Sequence, residues 1–279
     1  MTSVGRSHGS ITVINAMPSG IGATIGVSLR TDARFSVGGD VREVRITSDA
    51  GEDPTMAAIC VRRAYETAGI PEPDGWTLET SSEIPVSRGL KSSSAACNAI
   101  IRAVFAEIGH GMDPVDLIRL GVGCAREAKV TVTGSFDDAC GCGLGGLVMT
   151  DNRRDEILDR SDIGEYDVVI HVPRFKIRKS SMPVEALRAA APELREAMDI
   201  AMTDPFRAMT INGRVISRVQ GVDNSLAERA VSMGALGAGM SGSGPAISIV
   251  VPHGDGRSFA RDLGTDPEET IMTTTRCGE

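Results

Sequence analysis

The segment Ser82–Ala96 constrains the fold of this chain more than any other stretch of the sequence. It passes through Pro85 and Gly89 into three consecutive serines, and an apolar, alanine-rich run follows as far as Ile108. Serine is a favoured residue at helix starts, and alanine is the best helix former. The segment therefore predicts a helix that begins at the serine triplet.

The start of such a helix is suited to binding an anion. Its first amide groups have no partners inside the helix, and they lie at the positive end of the helix dipole. Phosphate oxygens bind well at this position, and serine hydroxyls add donors or ligands for a hard cation such as Mg²⁺. A plain serine-capped helix after a glycine turn has the same pattern, so the segment alone leaves both interpretations open.

The composition excludes several classes of protein. With 279 residues, 41% of them hydrophobic, the chain is long enough for one large domain or two packed lobes. Its formal net charge of -8 argues against nucleic acid as a partner, because phosphate backbones bind to basic patches. No apolar run approaches the roughly 20 residues of a membrane span, and no secretory pattern is present. We therefore expect a cytoplasmic protein with no membrane partner, and its six scattered cysteines to be buried free thiols.

A glycine-rich stretch near the N-terminus superficially matches a dinucleotide-binding fingerprint. Residues 17–26 contain the pattern G-x-G-x-x-x-G, and Asp40 follows Gly20 at the distance of a ribose-binding acid. That fingerprint needs a helix directly after the glycines. Instead, apolar and polar residues alternate from Val27 to Val37, which predicts a strand. A dinucleotide-binding fold is therefore excluded for this segment.

The rest of the pattern predicts an α+β fold. Asp53-Pro54 and Asp113-Pro114 are typical helix starts. Residues 183–236 are almost entirely helical in character, which argues against a repeating βαβ sheet. The charged, turn-like residues 151–162 predict a boundary between two lobes. Strands are predicted at residues 10–16, 27–37, 76–80, 167–172, 246–251 and 270–275.

Two further glycine-rich segments carry candidate functional residues. Asp137 and Asp138 lie in one of them, although adjacent aspartates among glycines are ordinary turn residues when considered alone. Glu127 precedes Asp138 by eleven residues, near the end of a predicted helix. The other segment, residues 237–245, leads into a strand, so it is not a dinucleotide turn. A loop of this kind lets backbone amides approach an anion closely.

These segments together resemble the GHMP small-molecule kinases, which include galactokinase, homoserine kinase and mevalonate kinase. The run Pro85-x-x-x-Gly89-Leu90-x-Ser92-Ser93-Ser94-Ala95 is similar to their phosphate-binding signature, and residues 17–26 and 237–245 are similar to their first and third motifs. The spacing from Glu127 to Asp138 and on to Gly145-Gly146 resembles mevalonate kinases. One departure is clear: the lysine usual after the first loop is absent, and Ile21 or Gly22 stands in that region.

The resemblance implies a two-lobed GHMP kinase fold, with an ATP-binding lobe at residues 1–155 and a helix-rich α/β lobe at 156–279. It implies phosphoryl transfer, with residues 89–94 on the phosphates and Mg²⁺ held by Ser93 and Glu127. Asp138 is the implied catalytic base, and Asp137 stays open as the alternative. The residues implied to bind ATP or its phosphates are Pro85, Val86, Ser87, Arg88, Gly89, Leu90, Lys91, Ser92, Ser93, Ser94 and Ala95, joined by Gly239, Ser241, Gly242, Ser243 and Gly244 of the third motif.

Within the GHMP kinases, the chain most resembles the archaeal shikimate kinases. The similar features are Lys91 ahead of the serines, the run Thr133-Gly134-x-Phe136-Asp137-Asp138-Ala139, and residues 147–152. The resemblance implies that ATP phosphorylates the 3-hydroxyl of shikimate, a step in aromatic amino-acid synthesis. Homoserine kinase and a non-catalytic sensor on the same fold are the alternatives, and the presence of both implied acids argues against the sensor. The substrate carboxylate is expected to meet an arginine, and the candidates by position are Arg30, Arg34 and Arg88.

Overall fold

A computed structural model describes residues 2–48, 51, 53–131, 134–177 and 182–278 of the chain. Within these ranges, strands form two sheets and helices pack against both of them. The strands are β1 (Ser3–Ile14), β2 (Ile21–Val37), β3 (Arg42–Ile46), β4 (Trp76–Ser82), β5 (Leu147–Asp151), β6 (Glu156–Ser161), β7 (Tyr166–His171), β8 (Gly237–Met240), β9 (Ile247–Pro252) and β10 (Thr270–Thr274). The α-helices are α1 (Thr55–Ala68), α2 (Ser92–Ile108), α3 (Pro114–Glu127), α4 (Phe136–Leu144), α5 (Val184–Ala189), α6 (Arg195–Ile200), α7 (Pro205–Gln220), α8 (Ser225–Ser232) and α9 (Gly256–Leu263).

The long strand β2 is the centre of the larger sheet. β1 pairs antiparallel with it from Ser3↔Phe35 to Ile14↔Ala23. β4 and β5 pair with opposite ends of β2, and β3 and β6 extend the sheet outward from them. Helix α2 packs on β1 so closely that a Cβ on Gly5 would lie 2.1 Å from the carbonyl oxygen of Ala99. This contact holds the start of α2 next to the C-terminal end of β1.

The smaller sheet is antiparallel, in the order β10-β7-β9-β8. Its edge strand β8 leads into the third glycine segment. Helix α7 packs on β8 through two glycines, because a Cβ on Gly213 would lie 2.6 Å from the Cα of Gly239. The helices α5 to α8 occupy most of residues 184–232, which agrees with the helical character predicted there.

The predicted helix starts are present, with differences at Asp53-Pro54 and at the serine triplet. Helix α1 begins at Thr55, with Pro54 as its N-cap residue and no side-chain cap. The side chain of Asp113 caps α3 by accepting hydrogen bonds from the backbone amides of Val115 and Asp116. Helix α2 begins at Ser92, but its N-cap residue is Lys91, in the left-handed region with φ 69°. The three serines therefore form the first turn of the helix instead of capping it.

Two expectations about loops are corrected. Asp137 and Asp138 lie in the first turn of helix α4, not in a glycine-rich loop. Residues 156–161 form β6, which pairs with β5 and completes the larger sheet. A lobe boundary between residues 155 and 156 would divide that sheet, so the pairing favours a boundary after Ser161. The division into two lobes itself stays a prediction.

Five of the six cysteines agree with the expectation from the sequence. Cys60, Cys97, Cys124, Cys140 and Cys142 are buried free thiols, as expected, whereas Cys277 is a free but exposed thiol. Of the helices in the described ranges, none combines the length and apolar character needed to cross a bilayer.

Candidate active site

The first turn of α2 forms one wall of an open cleft of about 1090 Å³, which we call the serine cleft. The backbone amides of this turn have no partners inside the helix, so they are available to oxygen atoms of a ligand. Gly242 and Ser243 of the third glycine segment lie across the cleft. The predicted phosphate-binding residues that line it are Val86, Ser87, Gly89, Lys91, Ser92, Ser93 and Ser94, together with Gly242 and Ser243.

The remaining residues of the two predicted motifs support the cleft from behind. Leu90 and Ala95 are buried in the hydrophobic core. Gly239 lies within β8 against α7. Pro85 and Gly244 are not part of the lining. The structure thus places these residues outside the lining of the serine cleft.

The second and third glycine segments and strand β1 are joined by hydrogen bonds at the base of the serine cleft. Ser241 Oγ donates to the carbonyl of Gly89 (3.0 Å) and accepts from the amide of Thr12 (3.3 Å). The amide of Gly242 donates to Thr12 Oγ1 (2.8 Å). A Cβ on Gly89 would lie 2.0 Å from the carbonyl oxygen of Ser241, so only glycine fits at this approach. Segments far apart in the sequence thus form one rigid floor.

The buried Lys91 and the half-buried Asp138 form an ion pair beside this floor. Lys91 Nζ lies 3.0 Å from Asp138 Oδ1 and donates to Thr12 Oγ1 at 2.6 Å. The lysine side chain is only 3% exposed, whereas Asp138 is 21% exposed and faces the cleft. Lys91 was predicted as a phosphate-binding residue, but its place beside Asp138 was missed. Two features of the sequence together indicated this place: the first motif lacks its usual lysine, and the second motif carries an additional one, Lys91.

Gly22 is one of the two residues that stand where the first motif usually carries its lysine. A Cβ on Gly22 would lie 2.3 Å from Asp137 Oδ2, so this position of β2 has no space for a side chain. The carboxyl of Asp137 fills that space. The positive charge next to the paired acids therefore comes from Lys91, on a different segment of the chain.

A second, smaller cleft of about 450 Å³ lies on the other side of Lys91, and we call it the inner cleft. Its polar lining includes Thr12 and Asn15, and its apolar lining includes Met17 and Met182. Asp138 and Lys91 line both clefts, so a group bound in one cleft can reach a group bound in the other at this point. The residues that the two clefts share are Lys91, Ser135, Asp138, Gly242 and Ser243.

The two neighbouring acids have different environments. Asp137 is 4% exposed, and its Oδ1 accepts a hydrogen bond of 2.6 Å from the side-chain amide of Asn152. Burial, and then the charge of Asp138, raise the pKa of the Asp137 carboxyl to about 7. Asp138, by contrast, faces both clefts beside a cation. This difference favours Asp138 as the base over Asp137, although the assignment stays a prediction.

The structure does not bring Glu127 to Ser93 and Asp138. Its carboxylate is at the end of α3, is 45% exposed and forms an ion pair with Arg62 of α1. It is not part of the lining of either cleft. The eleven-residue spacing selected Glu127 by its place in the sequence. Its side chain, however, lies on the face of α3 that is turned toward α1. Among the described residues, no cluster of three or more His, Cys, Asp or Glu side chains could hold a metal ion.

The three candidate arginines also lie away from the inner cleft. Arg30 and Arg34 pair with His8 and Val4 of β1, whereas the clefts lie at the other end of that strand, near Thr12. Arg88 donates to backbone carbonyls of Arg174 and Phe175. None of the three lines either cleft, so proximity to a motif in the sequence did not predict a place in the lining. Thr133, in the run that resembles shikimate kinases, lies outside the described residues.

An apolar recess opens on the far side of the serine triplet, between α1, α2 and the ends of β3 and β4. It encloses about 570 Å³. Met56, Ala96 and Ile100 supply apolar surface, and Asp53 supplies a polar group at its edge. The recess shares Val86, Ser92 and Ser93 with the serine cleft, so one extended ligand could occupy both.

Solved structures share this fold along nearly the whole chain. The mevalonate kinase of Methanococcus jannaschii superimposes with a TM-score of 0.77 at 14% identity, covering 100% of this chain and 99% of that one. A galactokinase of Lactococcus lactis, complexed with galactose, gives a TM-score of 0.76 at 15% identity, covering 100% of this chain and 94% of that one. Residues 55–146 match the family described as GHMP kinases N terminal domain. The fold and the site together define a small-molecule kinase of the GHMP class.

Curated relatives of similar length indicate which family of GHMP kinases the chain resembles most. A shikimate kinase of Pyrococcus abyssi is 37% identical over 284 aligned positions, covering 100% of this chain and 97% of the relative. A shikimate kinase of Methanobrevibacter smithii is 35% identical, covering 88% and 86%. The chain belongs to the archaeal shikimate kinase family. The predicted α+β GHMP kinase fold and the predicted family are thereby confirmed.

Proposed function

We propose that this protein transfers the γ-phosphoryl group of ATP to the 3-hydroxyl of shikimate, forming shikimate 3-phosphate and ADP. The relatives named shikimate kinase support the acceptor, because they align with the chain over most of their length. One observation carries the chemistry: the ion pair of Lys91 and Asp138 lies where the serine cleft and the inner cleft meet.

ATP fits the serine cleft and the adjoining apolar recess. The recess offers a planar base the apolar surface of Met56 and Ile100, while the amides and hydroxyls of the first turn of α2 face the phosphates. This arrangement uses the helix start that the sequence predicted as an anion site.

The residues of the serine cleft are compatible with Mg²⁺, because it binds through one or two carboxylates together with phosphate oxygens and water. Ser93 Oγ and, among the acids, Asp138 are the oxygen donors that line the cleft near the phosphates. Bound Mg²⁺ would supply positive charge that offsets the charge of the triphosphate. Glu127 would reach this group only by leaving Arg62, so we assign the protein ligand to Ser93.

The inner cleft fits a small ring that carries hydroxyl groups. Thr12, Asn15 and Ser135 provide hydrogen-bonding groups, and the two methionines provide apolar contact for ring carbons. Among the described residues that line this cleft, Lys91 carries the positive charge that a substrate carboxylate or a transferring phosphoryl group would meet.

The phosphoryl transfer step uses groups on both sides of the junction. Asp138 orients the acceptor hydroxyl and takes its proton as the hydroxyl oxygen bonds to the γ-phosphorus. The bond from that phosphorus to the β–γ bridging oxygen breaks, and ADP leaves. Lys91 holds the carboxylate of Asp138 in place and balances the negative charge on the phosphoryl group in transfer.

The variant Asp138→Asn tests the role of the base. It keeps the size of the side chain and removes the proton acceptor, so we expect kcat to fall roughly 10²- to 10⁴-fold. The Kd for ATP, measured by calorimetry, should stay within a few fold. Near-normal turnover of this variant would show that Asp138 is not the base.

A coupled assay for ADP release with shikimate, homoserine and mevalonate tests the acceptor. We expect turnover with shikimate and little with the other two alcohols. A preference for homoserine would show that the proposed acceptor is wrong, but it would leave the proposed phosphoryl transfer unchanged. An absence of turnover with all three, together with ATP binding, would favour the non-catalytic sensor.

A further inference from the structure

Asn152 is a buried amide directly after β5, and it is 1% exposed. Its side-chain oxygen accepts hydrogen bonds from the amide of Asp137 (3.0 Å) and from Thr150 Oγ1 (2.8 Å). Its side-chain nitrogen donates to Asp137 Oδ1 at 2.6 Å. Its own backbone amide donates to the carbonyl of Gly20, in the first glycine loop. Asn152 thus links β5, the first glycine loop and the start of α4.

The start of α4 needs such a partner. Its N-cap residue, Ser135, is in the left-handed region with φ 54°, and the serine side chain makes no capping hydrogen bond. The amide of Asp137 belongs to the first turn, so it lacks a partner inside the helix. Asn152, fifteen residues further along the chain, accepts from that amide. The helix is therefore capped by a side chain from the neighbouring sheet.

Thr150 and Asn152 act together although Asn152 lies in the turn directly after β5. Both side chains are buried, and they are hydrogen-bonded to each other. Asp151, between them, pairs with Arg153. Thr150 donates its hydroxyl proton to Asn152, which fixes the amide with its oxygen toward the amide of Asp137.

We propose that Thr150, Asn152 and Asp137 are positioning residues that hold Asp138 in its reactive orientation. Asp138 follows Asp137 directly, so the hydrogen bonds on Asp137 fix the backbone from which the Asp138 side chain projects toward Lys91. This inference rests on the proposed function only in that Asp138 is the base. Thr150 and Asn152 lie outside the lining of both clefts and act through Asp137 and Asp138, whereas Asp137 also lines the inner cleft.

The environment of Asp137 also explains why an amide occupies position 152. An amide carries both a donor nitrogen and an acceptor oxygen, and both atoms form hydrogen bonds here. A carboxylate at 152 would face the buried carboxyl of Asp137, whose pKa is already raised to about 7 by burial and by Asp138. Two acids at this distance would need to share a proton, so the cap would depend on pH.

A matched control exists on the opposite side of α4. Asn98, on α2, is also a fully buried amide, and its side-chain nitrogen donates to the carbonyl of Ala139 in α4 at 3.0 Å. It makes no hydrogen bond to Asp137. The variant Asn98→Ala therefore removes a buried amide from the same helix without removing the cap of its first turn.

The kinetic test compares Asn152→Ala with Asn98→Ala. For Asn152→Ala we expect kcat to fall roughly 10- to 100-fold with KM for ATP and for shikimate within about threefold, because misplacing a reacting group lowers turnover more than binding. For Asn98→Ala we expect a lower Tm but a kcat within about twofold of the parent protein. Equal effects of the two variants on kcat would overturn the proposal.

A second measurement needs no substrate, so it separates this inference from the proposed function. The ¹³Cγ resonance of Asp138 should move in Asn152→Ala and in the milder Thr150→Val, and should stay in place in Asn98→Ala. An unmoved Asp138 resonance in a folded Asn152 or Thr150 variant would overturn the proposal, whatever the acceptor. Failure of the parent protein to phosphorylate shikimate would instead refute the proposed function alone. If Asn152→Ala does not fold, Thr150→Val, which removes one hydroxyl, carries both measurements with a smaller expected loss of kcat of roughly threefold.

Discussion

The positive charge beside Asp138 comes from a residue in an unfavourable backbone conformation. Lys91 has φ 69°, which costs a residue with a side chain roughly 1–2 kcal/mol. The ion pair with Asp138 and the hydrogen bond to Thr12 Oγ1 hold it there. Strain of this kind persists where the surrounding contacts determine the conformation, and it is common at functional sites.

The variant Lys91→Met tests this residue. Methionine keeps much of the length of the side chain but removes the charge and the donors, so we expect kcat to fall roughly 10²-fold or more. Arg30→Met, on the exposed face of β2, removes an equal charge away from the clefts. Steady-state assays should give this control a KM for shikimate within about twofold of the parent protein. A large rise in that KM would restore Arg30 as a carboxylate-binding residue.

At the scale of elements, close contacts between glycine-bearing helices and strands place the loops of the site. Helix α2 reaches β1 at Gly5, and helix α7 reaches β8 at Gly213 and Gly239. β8 continues directly into Ser241 and the glycines of the third segment. Any change in the spacing between α7 and β8 would therefore displace a wall of both clefts.

Two glycines in helix interiors make a matched pair for this contact. Gly213→Ala places a Cβ 2.6 Å from the Cα of Gly239, so we expect it to destabilise the protein by about 1–3 kcal/mol and to raise KM for ATP. Gly123, in α3, has open space around a Cβ, so Gly123→Ala should stabilise by about 0.5–1 kcal/mol. Denaturation in urea measures both. Equal stability changes in the two variants would contradict the close contact.

At the scale of the whole molecule, the site is assembled from segments of both sheets. Thr12 lies near the C-terminal end of β1 in the larger sheet, Gly89 precedes α2, and Ser241 follows β8 of the smaller sheet. Ser241 Oγ joins the other two by its hydrogen bonds. The relative position of the two sheets is thus part of the geometry of the active site.

The variants Ser241→Ala and Ser248→Ala test this junction. Both hydroxyls are fully buried, but Ser248 Oγ has no hydrogen-bond partner within the described part of the chain. Removing Ser241 Oγ leaves the amide of Thr12 without its acceptor, so we expect a loss of about 1–3 kcal/mol and a higher KM for ATP. Ser248→Ala should be neutral or slightly stabilising. Calorimetric unfolding and ATP titration measure the two effects, and indistinguishable variants would show that the junction contributes little.

Local signals predicted the secondary structure well but predicted the start of α4 incorrectly. Asp113-Pro114 contains its own cap within a few residues, and the alanine-rich run after Ser92 favours a helix by propensity, so the sequence was sufficient there. The first turn of α4 has no local cap, because its partner is Asn152. Glycines and paired aspartates there resembled a loop. The helix could be found only when β5 was in place beside it.

The functional residues divide in the same way. The serine triplet, the third glycine segment and Asp138 were predicted from motifs, and the structure brings them to one junction. Glu127 and the three arginines were selected by their spacing or proximity in the sequence, and the structure directs them elsewhere. The spacing of residues in the sequence indicates where a residue lies along its helix or strand. It does not indicate which residues of other helices and strands its side chain contacts.

The sequence by itself determined the class of fold, the helix starts and the glycine turns, because these depend on interactions between residues close together in the chain. Only the tertiary structure decided that Gly22 leaves no space for a lysine, that Lys91 supplies the charge beside Asp138, and that Asn152 caps α4. Each of these depends on packing between distant segments, where steric exclusion and buried hydrogen bonds select the partner.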